Sequence, residues 1–386
     1  MPDGHEEFVV NSVERLADVD RAAWDACAGA DNPFVSYDFL NSLEVSGSVA
    51  PECGWAPRHV LVRDSLGDLV GCMPLYLKGH SHGEYIFDWS WAEAYDRAGG
   101  RYYPKLLCGV PFTPVTGPRL LLHPDAPLEV RSQLIRTATG LATRGNLSSA
   151  HINFVCEDDV DEMLKAHLLH RTGLQYHWLN DDYATYEDFL AALTSRKRKA
   201  LKKERRHALD GGAITIKHLS GADIGEHHLD AMYAFYTDTG ARKWGQPYLN
   251  REAFQLIGES MADRMVLIMA YRGDDIIAGA LNFIGDEALY GRYWGCREDV
   301  PFLHFELCYH QAIDAAIKRG LKRVEAGAQG EHKIARGYLP VLTHSTHFIT
   351  NEDFRKAVSS FLDQERQAVL NQREALMTES PYRQDV

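Results

Sequence analysis

Residues 58–78, RHVLVRDSLGDLVGCMPLYLK, form two apolar-rich runs around an acidic glycine turn, and residues 264–284, RMVLIMAYRGDDIIAGALNFI, repeat the pattern. Such runs, broken by Gly and Asp, predict β-hairpins. Each is followed, after a linker, by a helical pattern ending in Arg-Gly (142–145 and 317–320) and then by a strand pattern. Gly145 and Gly320 are the expected helix stops, because glycine accepts the left-handed conformation that ends a helix. A helix stripe and a strand that must cover each other twice over predict a duplicated α/β domain.

The remaining periodicities fill in that order. Val13, Leu16, Val19, Ala23 and Trp24 recur at helical spacing, and 33–47 reads as a second helix capped by Ser36 and stopped at Gly47. SSAHINFV (148–155) and LQYHWLN (174–180) are strand patterns around a helical one at 158–173. In the second half AITIKHLSG (213–221) predicts a strand, 225–240 and 249–263 predict helices with Asn250 as a cap, and ALYGRYWG (288–295) predicts the strand after the hairpin. A helix over 303–320 and a strand over 321–328 complete the half. The expected boundaries are a first domain at 1–180, a second at 181–350 opening with a helix over 185–210, and a C-terminal helix and tail at 351–386. Thr185 and Asp188 suit the start of the 185–210 helix and Gly211-Gly212 its end. Its stripe would be Phe189, Leu190, Leu193, Ala200, Leu201 and Leu209, over roughly 25 residues or about 38 Å. The last residues, TESPYRQDV, carry no apolar period and are expected to be disordered.

At 386 residues the chain has the length of two domains, and 45% hydrophobic content is ordinary for a globular protein. No apolar run reaches the roughly 20 residues of a membrane span, and the acidic N-terminus lacks a signal-peptide pattern. Seven scattered cysteines, never in a C-x-x-C pair, argue against a disulfide framework and point to a reducing cytoplasm. The net charge of −13 speaks against a DNA binder. SRKRKALKKERRH (195–207) is the exception: it carries a net +7 and leaves −20 on the rest. Concentrated in this way, Arg196, Lys197, Lys199, Lys202, Lys203, Arg205 and Arg206 suit either a solvated helix face or a phosphate-rich partner.

EAGAQGEHKIARGYLPVLTHSTHF (325–348) gathers histidines, glutamates, a lysine, an arginine and glycines, and three chemistries compete for it. The metal spacings H-E-x-x-H and its kin are absent, and His344 and His347 sit at an odd strand spacing, so no metal site is expected. The glycines followed by Lys333 and Arg336 suit an anion, yet no Walker loop or regular pyrophosphate loop is present. The third reading is an acyl-transfer site.

The order strand, two helices, three-stranded meander, helix, strand, present twice, resembles the tandem GNAT arrangement of Fem-type aminoacyl transferases. ALYGRYWG, LHFELCYHQAI and EAGAQGEHKIARGYLPVLTHS, with YYPKL and PFTPVTG upstream, are similar to the bacterial FemAB-like predicted N-acyltransferases, a peptidoglycan biosynthesis or recognition family. The resemblance implies mixed, mostly antiparallel sheets flanked by helices in two GNAT-like domains. It implies amide formation between an acyl-coenzyme A or aminoacyl-tRNA donor and an amine, with no tightly bound cofactor. The acceptor would be a small molecule or a peptidoglycan precursor, and contact with a membrane surface would be peripheral. In that frame Lys333, Arg336 and Gly337 line the precursor channel, with Gln329, Gly330 and His332 beside them. Tyr290, Arg292, Tyr293 and Trp294 lie where the fourth and fifth strands part, Tyr290 and Arg292 on one face and Tyr293 on the other. His304, Glu306, Glu325 and Lys333 are the candidates for proton transfer and charge stabilisation. The competing class is a non-catalytic protein that keeps the double fold to bind a cell-wall precursor or nucleotide-linked sugar.

Overall fold

A computed structural model describes residues 8–209, 212–243, 247–327 and 330–383. In chain order the elements are β1 (Val9–Val13), α1 (Arg21–Ala28), α2 (Tyr37–Val45), β2 (Trp55–Pro57), β3 (His59–Arg63), β4 (Leu69–Met73), β5 (Leu75–Lys78), α3 (Trp89–Arg97), β6 (Lys105–Cys108), β7 (Leu121–Leu122), α4 (Glu129–Arg144), β8 (Ser149–Val155), α5 (Glu157–Lys165) and β9 (Leu169–Leu179). They continue with α6 (Tyr186–Ala192), α7 (Ser195–Ala208), β10 (Thr215–Leu219), α8 (Glu226–Lys243), α9 (Arg251–Met261), β11 (Met265–Arg272), β12 (Asp275–Ile284) and β13 (Ala288–Cys296). Last come α10 (Leu303–Phe305), α11 (Gln311–Lys318), β14 (Arg323–Glu325), β15 (Leu339–Ile349) and α12 (Glu352–Met377), with a π-helical turn over Glu306–His310 joining α10 to α11.

The chain divides into two compact units, 1–173 with 342–369 and 174–341 with 370–386. The expected cut near 180 therefore falls at 173/174, and the second expected domain does not own its C-terminal strand. The reason is a pairing that no local pattern encodes: His344–Ile349 of β15 run antiparallel to β8. In the first unit β1, β3, β4 and β7 form one sheet, and β15, β8, β6, β5 and β2 form a second, with β6 and β8 parallel. Val60, Val62, Leu106, Ile152 and the α4 stripe Val130, Leu134, Ile135, Ala138 and Ala142 close its core. This unit also buries a charged group: Lys105 donates to Glu84 Oε2 at 2.8 Å and to Asp88, whose carboxylate also accepts from Tyr102 at 2.7 Å. Burial pushes the Glu84 carboxyl up to about 7, against the pull of Lys105, and brings the neighbouring Lys78 down to about 7.

In the second unit the antiparallel run β10-β11-β12-β13 is continued by a parallel β14 and then by an antiparallel β9. Leu289, Val324 and Trp178 face α6 and α11 in one core, with Leu190, Ala312 and Ile313. On the other face α8 lies so close to β13 that a Cβ on Gly295 would stand 2.2 Å from the Phe235 carbonyl oxygen. Backbone cannot give way as a side-chain tip can. Gly295→Ala is expected to cost about 1–3 kcal/mol in urea unfolding, and a variant as stable as the wild type would refute this close approach.

Most of the expected caps are in place: Ser36, Asn250 and the Thr185–Asp188 capping box each close a helix start, and Gly145 and the left-handed Gly320 follow the ends of α4 and α11. Three elements differ from expectation. Val13 belongs to edge strand β1, paired with β3, and the helix there starts only at Arg21. The helix expected over 158–173 stops at Lys165, because His167 turns the chain at φ 63° and the polar run after it pairs as β9. The single helix expected over 185–210 is two, since Leu193 and Thr194 are extended. Their backbone is satisfied by the tail expected to be disordered: Thr194 N donates to Pro381 O at 2.9 Å and Arg383 N to Ala192 O at 3.0 Å. Ala200 of the expected stripe is exposed, and Gly211 lies outside the described residues.

Candidate functional site

β13 and β14 pair in parallel only from Ala288↔Arg323 to Tyr290↔Glu325, whereas β13 stays paired to β12 as far as Cys296. Past Tyr290 the two parallel strands therefore part, and among the described residues no strand pairs with the β14-side edge of β13 beyond that point. A β-bulge falls at this point: Asn282 faces Gly291 and Leu281 faces Tyr293, so Arg292 is the extra residue. The bulge overturns the simple alternation expected from sequence. Tyr290 and Tyr293 oppose Phe283 and Leu281, which lie two apart, so both tyrosines occupy one face. Tyr293 packs edge-on to Tyr236 of α8 at 4.8 Å between ring centroids.

Where β14 ends, the chain turns through Gly327 and Gly330, at φ 81° and 120°, into a 3-10 turn over Glu331–Arg336 that closes on Gly337 at φ 90°. Gly337 has no room for a Cβ, which would meet the Phe189 ring at 2.7 Å and the Tyr382 hydroxyl at 3.0 Å. The turn buries Lys333 to 2% exposure and aims its Nζ at Gly327 O, 2.9 Å away. Lys333 is thus fixed to the loop leaving the parted strands. Burial lowers its ammonium pKa to about 8. A cation that close to neutrality is a strong donor to an oxyanion and also a group able to exchange a proton.

Glu306 is fully buried in the π-helical turn. Its carboxylate accepts from Arg205 Nη2 at 2.9 Å and from Arg205 Nε at 3.1 Å to both oxygens, and Gln311 Nε2 donates at 2.7 Å. Beside it Glu204 bridges Arg336 (2.6 and 2.9 Å) and His310 (2.8 Å). The inward stripe of α7 is therefore Leu201, Glu204, Arg205 and Ala208, at spacings of three and four. Arg205, expected among the outward cations, points in. Arg196, Lys199, Lys202, Lys203 and Arg206 are exposed, and Lys197 is half-buried. Of the two inward ion pairs, Glu204–Arg336 ties this basic helix to the turn that carries Lys333, and Arg205–Glu306 ties it to the π-helical turn.

His304 lies half-buried 5.1 Å from the Trp294 ring, lining a cleft of about 280 Å³ with Cys296 and Phe302. His332 is exposed and its Nε2 meets Tyr309 OH at 2.9 Å, while Arg336 stacks 3.5 Å over Phe305. Gln329 lies outside the described residues. His344 and His347 are hydrogen-bonded to His170 (2.9 Å) and His151 (2.6 Å). Among the described residues no group of three or more side chains is placed to hold a metal ion, and no helix is long and apolar enough to cross a membrane.

One participant was not foreseen. Glu325 is opposed across the sheet by Tyr290 on one side and His177 of β9 on the other, so all three side chains share a face. His177 Nε2 lies 3.3 Å from Gln175 Oε1 and 3.8 Å from Glu325 Oε2, and Arg323 Nε donates to the other Glu325 oxygen at 3.0 Å. Nothing in LQYHWLN distinguishes His177 from a core histidine; only the strand register brings it to Glu325.

The chain matches the sequence model of the FemAB-like peptidoglycan biosynthesis/recognition family over residues 15–384. None of the curated protein sequences matches it. Among solved structures it is similar to FemX, at 13% identity over 88% of this chain and 98% of that one with a TM-score of 0.53. L-PGS from Bacillus licheniformis aligns at 9% identity over 89% and 97% of the two chains, with a TM-score of 0.52. A conserved protein of unknown function from Bacteroides thetaiotaomicron aligns at 11% identity over 88% and 100%, also at 0.52. At these identities the likeness concerns the fold alone.

Proposed function

The chain belongs to the FemAB-like peptidoglycan biosynthesis/recognition family, and on that footing we propose that it is an N-acyltransferase. It forms an amide between an activated acyl or aminoacyl donor and the amine of a peptidoglycan precursor. The observation that carries this reading is the parting of β13 and β14 after Tyr290 and Glu325 beside the buried Lys333, whose pKa burial lowers to about 8. Tetrahedral acyl transfer needs donors fixed in advance around the developing oxyanion. The edge of β13 past its pairing with β14 supplies main-chain N–H groups, and Lys333 supplies a cation held at the same end of β14.

The donor that fits the rest of the unit is an aminoacyl-tRNA. The exposed cations of α7 form a track for a sugar-phosphate backbone, the Glu204–Arg336 pair holds that track against the turn that carries Lys333, and the Arg205–Glu306 pair holds it against the π-helical turn. Fluorescence anisotropy of charged tRNA across a salt series tests this. Binding is expected to weaken steeply with salt. In a K199A/K202A/K203A/R206A variant, which spares the inward Arg205, the slope should fall by about 0.7–0.9 for each phosphate left without its cation. A slope unchanged in that variant would remove tRNA from the account and leave acyl-coenzyme A as the donor.

A further inference from the structure

The second unit has an open cavity of about 630 Å³ lined by His177, Asn180, Asp181, Tyr183, Gly337 and Tyr382, among others. It reaches the Lys333 motif through Gly337 and the β14 end through His177. Gln175 Oε1 and Glu325 Oε2 both lie on the Nε2 side of the His177 ring, which places the proton on Nε2. Nδ1 makes no hydrogen bond among the described residues, so its lone pair is left to accept a proton, on a residue that lines the cavity. Glu325 Oε2 is itself buried and, among the described residues, without a hydrogen-bond partner, 3.8 Å from Nε2. An imidazole whose far nitrogen is backed by a buried carboxylate is a base held in one tautomer, with the charge it acquires already countered.

We propose that His177, oriented by Glu325 and Gln175, is the group that takes the proton from the acceptor amine at the inner end of this cavity. The inference rests on the acyl-transfer reading. The amine nitrogen attacks the donor carbonyl carbon, and the C–N bond forms as the carbonyl electrons move onto oxygen. The ammonium proton of the tetrahedral intermediate passes to His177 Nδ1. Collapse re-forms the carbonyl and breaks the bond to the leaving oxygen or sulfur, which receives that proton. No further reactant is required. The groups that face the imidazole agree with this use. Burial favours its neutral form, Glu325 opposes that shift, and Arg323 and Lys333 reinforce it. From the cavity Asp181, the Tyr183 and Tyr382 hydroxyls and Arg383 complete its charged and titratable surroundings.

The test has two arms on the full chain. Nitrogen-15 NMR of labelled histidines, with H177Q as the assignment control, reads the ring directly. The expected result is a neutral, Nε2-protonated ring at pH 7 that titrates below 6.5, and lower still in E325Q, which lacks the carboxylate that raises it. A ring protonated on Nδ1, or cationic at pH 7, overturns the proposal. In the second arm kcat/KM is followed against pH with charged tRNA or acyl-coenzyme A as donor. H177Q is expected to lose about 10²–10⁴-fold with KM little changed and the acidic limb flattened, and H177G to recover with millimolar imidazole. Wild-type turnover in H177Q overturns the proposal. A wild type that consumes neither donor contradicts the transferase reading instead, and the NMR arm still decides the state of the ring.

Discussion

Replacing Arg205 by alanine is expected to destabilise the second unit by about 3–5 kcal/mol, the cost of stranding a buried carboxylate without its counter-charge. Glu306 is fully buried, and three of its four hydrogen bonds from side chains come from that one guanidinium. Lysine is not expected to substitute, because a single ammonium cannot reproduce the fork that spans both carboxylate oxygens. An R205M/E306M double variant should recover most of the loss, since apolar groups of similar size replace a buried pair at little cost. Urea unfolding of the three variants checks this. Full stability in R205A would show that the pair carries nothing. The pair also ties Glu306 to the basic helix, because both of its oxygens accept from Arg205.

Lys333→Met is expected to lower turnover by about 10²–10³-fold, the usual loss on removing one oxyanion donor, while the fold survives. The pH dependence separates a chemical role from a structural one. Lys333 has a folded pKa of about 8, below its ordinary 10.5, so protonating it penalises the folded state. Wild-type stability should therefore climb as pH rises from about 8 towards 10.5 and level off above, and this climb should vanish in K333M. If the charged form stabilises the oxyanion, wild-type kcat falls above pH 8, and that alkaline limb is likewise absent from the variant. Denaturant melts and kcat profiles between pH 7 and 10.5 read both. An alkaline limb that persists in K333M would assign it to another group.

Local chemistry announced the local structure. The Thr185–Asp188 box, the Ser36 and Asn250 caps and the glycine turns of both hairpins satisfy their own neighbours, and each forms where the residues indicated. What depended on distant pairing was not legible. β15 joins β8 across nearly two hundred residues, and the extended Leu193 exists because the tail at 381–383 pairs with it. The bulge at Arg292 shifts Tyr293 to the face of Tyr290, and its one local signal, Gly291 inside the strand pattern, does not say which residue is extra. His177 becomes notable only once register sets it against Glu325. Arg205 is the instructive case, because its signal was present. It lies four residues after buried Leu201 and three before buried Ala208, so helical periodicity alone turned it inward, and reading 195–207 as a block of charge hid that.

The most direct test of the central claim is label transfer. Radiolabelled aminoacyl-tRNA, and in parallel acyl-coenzyme A, is incubated with a soluble peptidoglycan peptide precursor and either wild-type protein or K333M, and base-stable amide product is counted. Amide formed by the wild type from one of the two donors, and reduced at least a hundredfold in K333M, is the predicted result. Binding of the precursor with neither donor consumed would contradict the account and make this double GNAT-like fold a recognition protein.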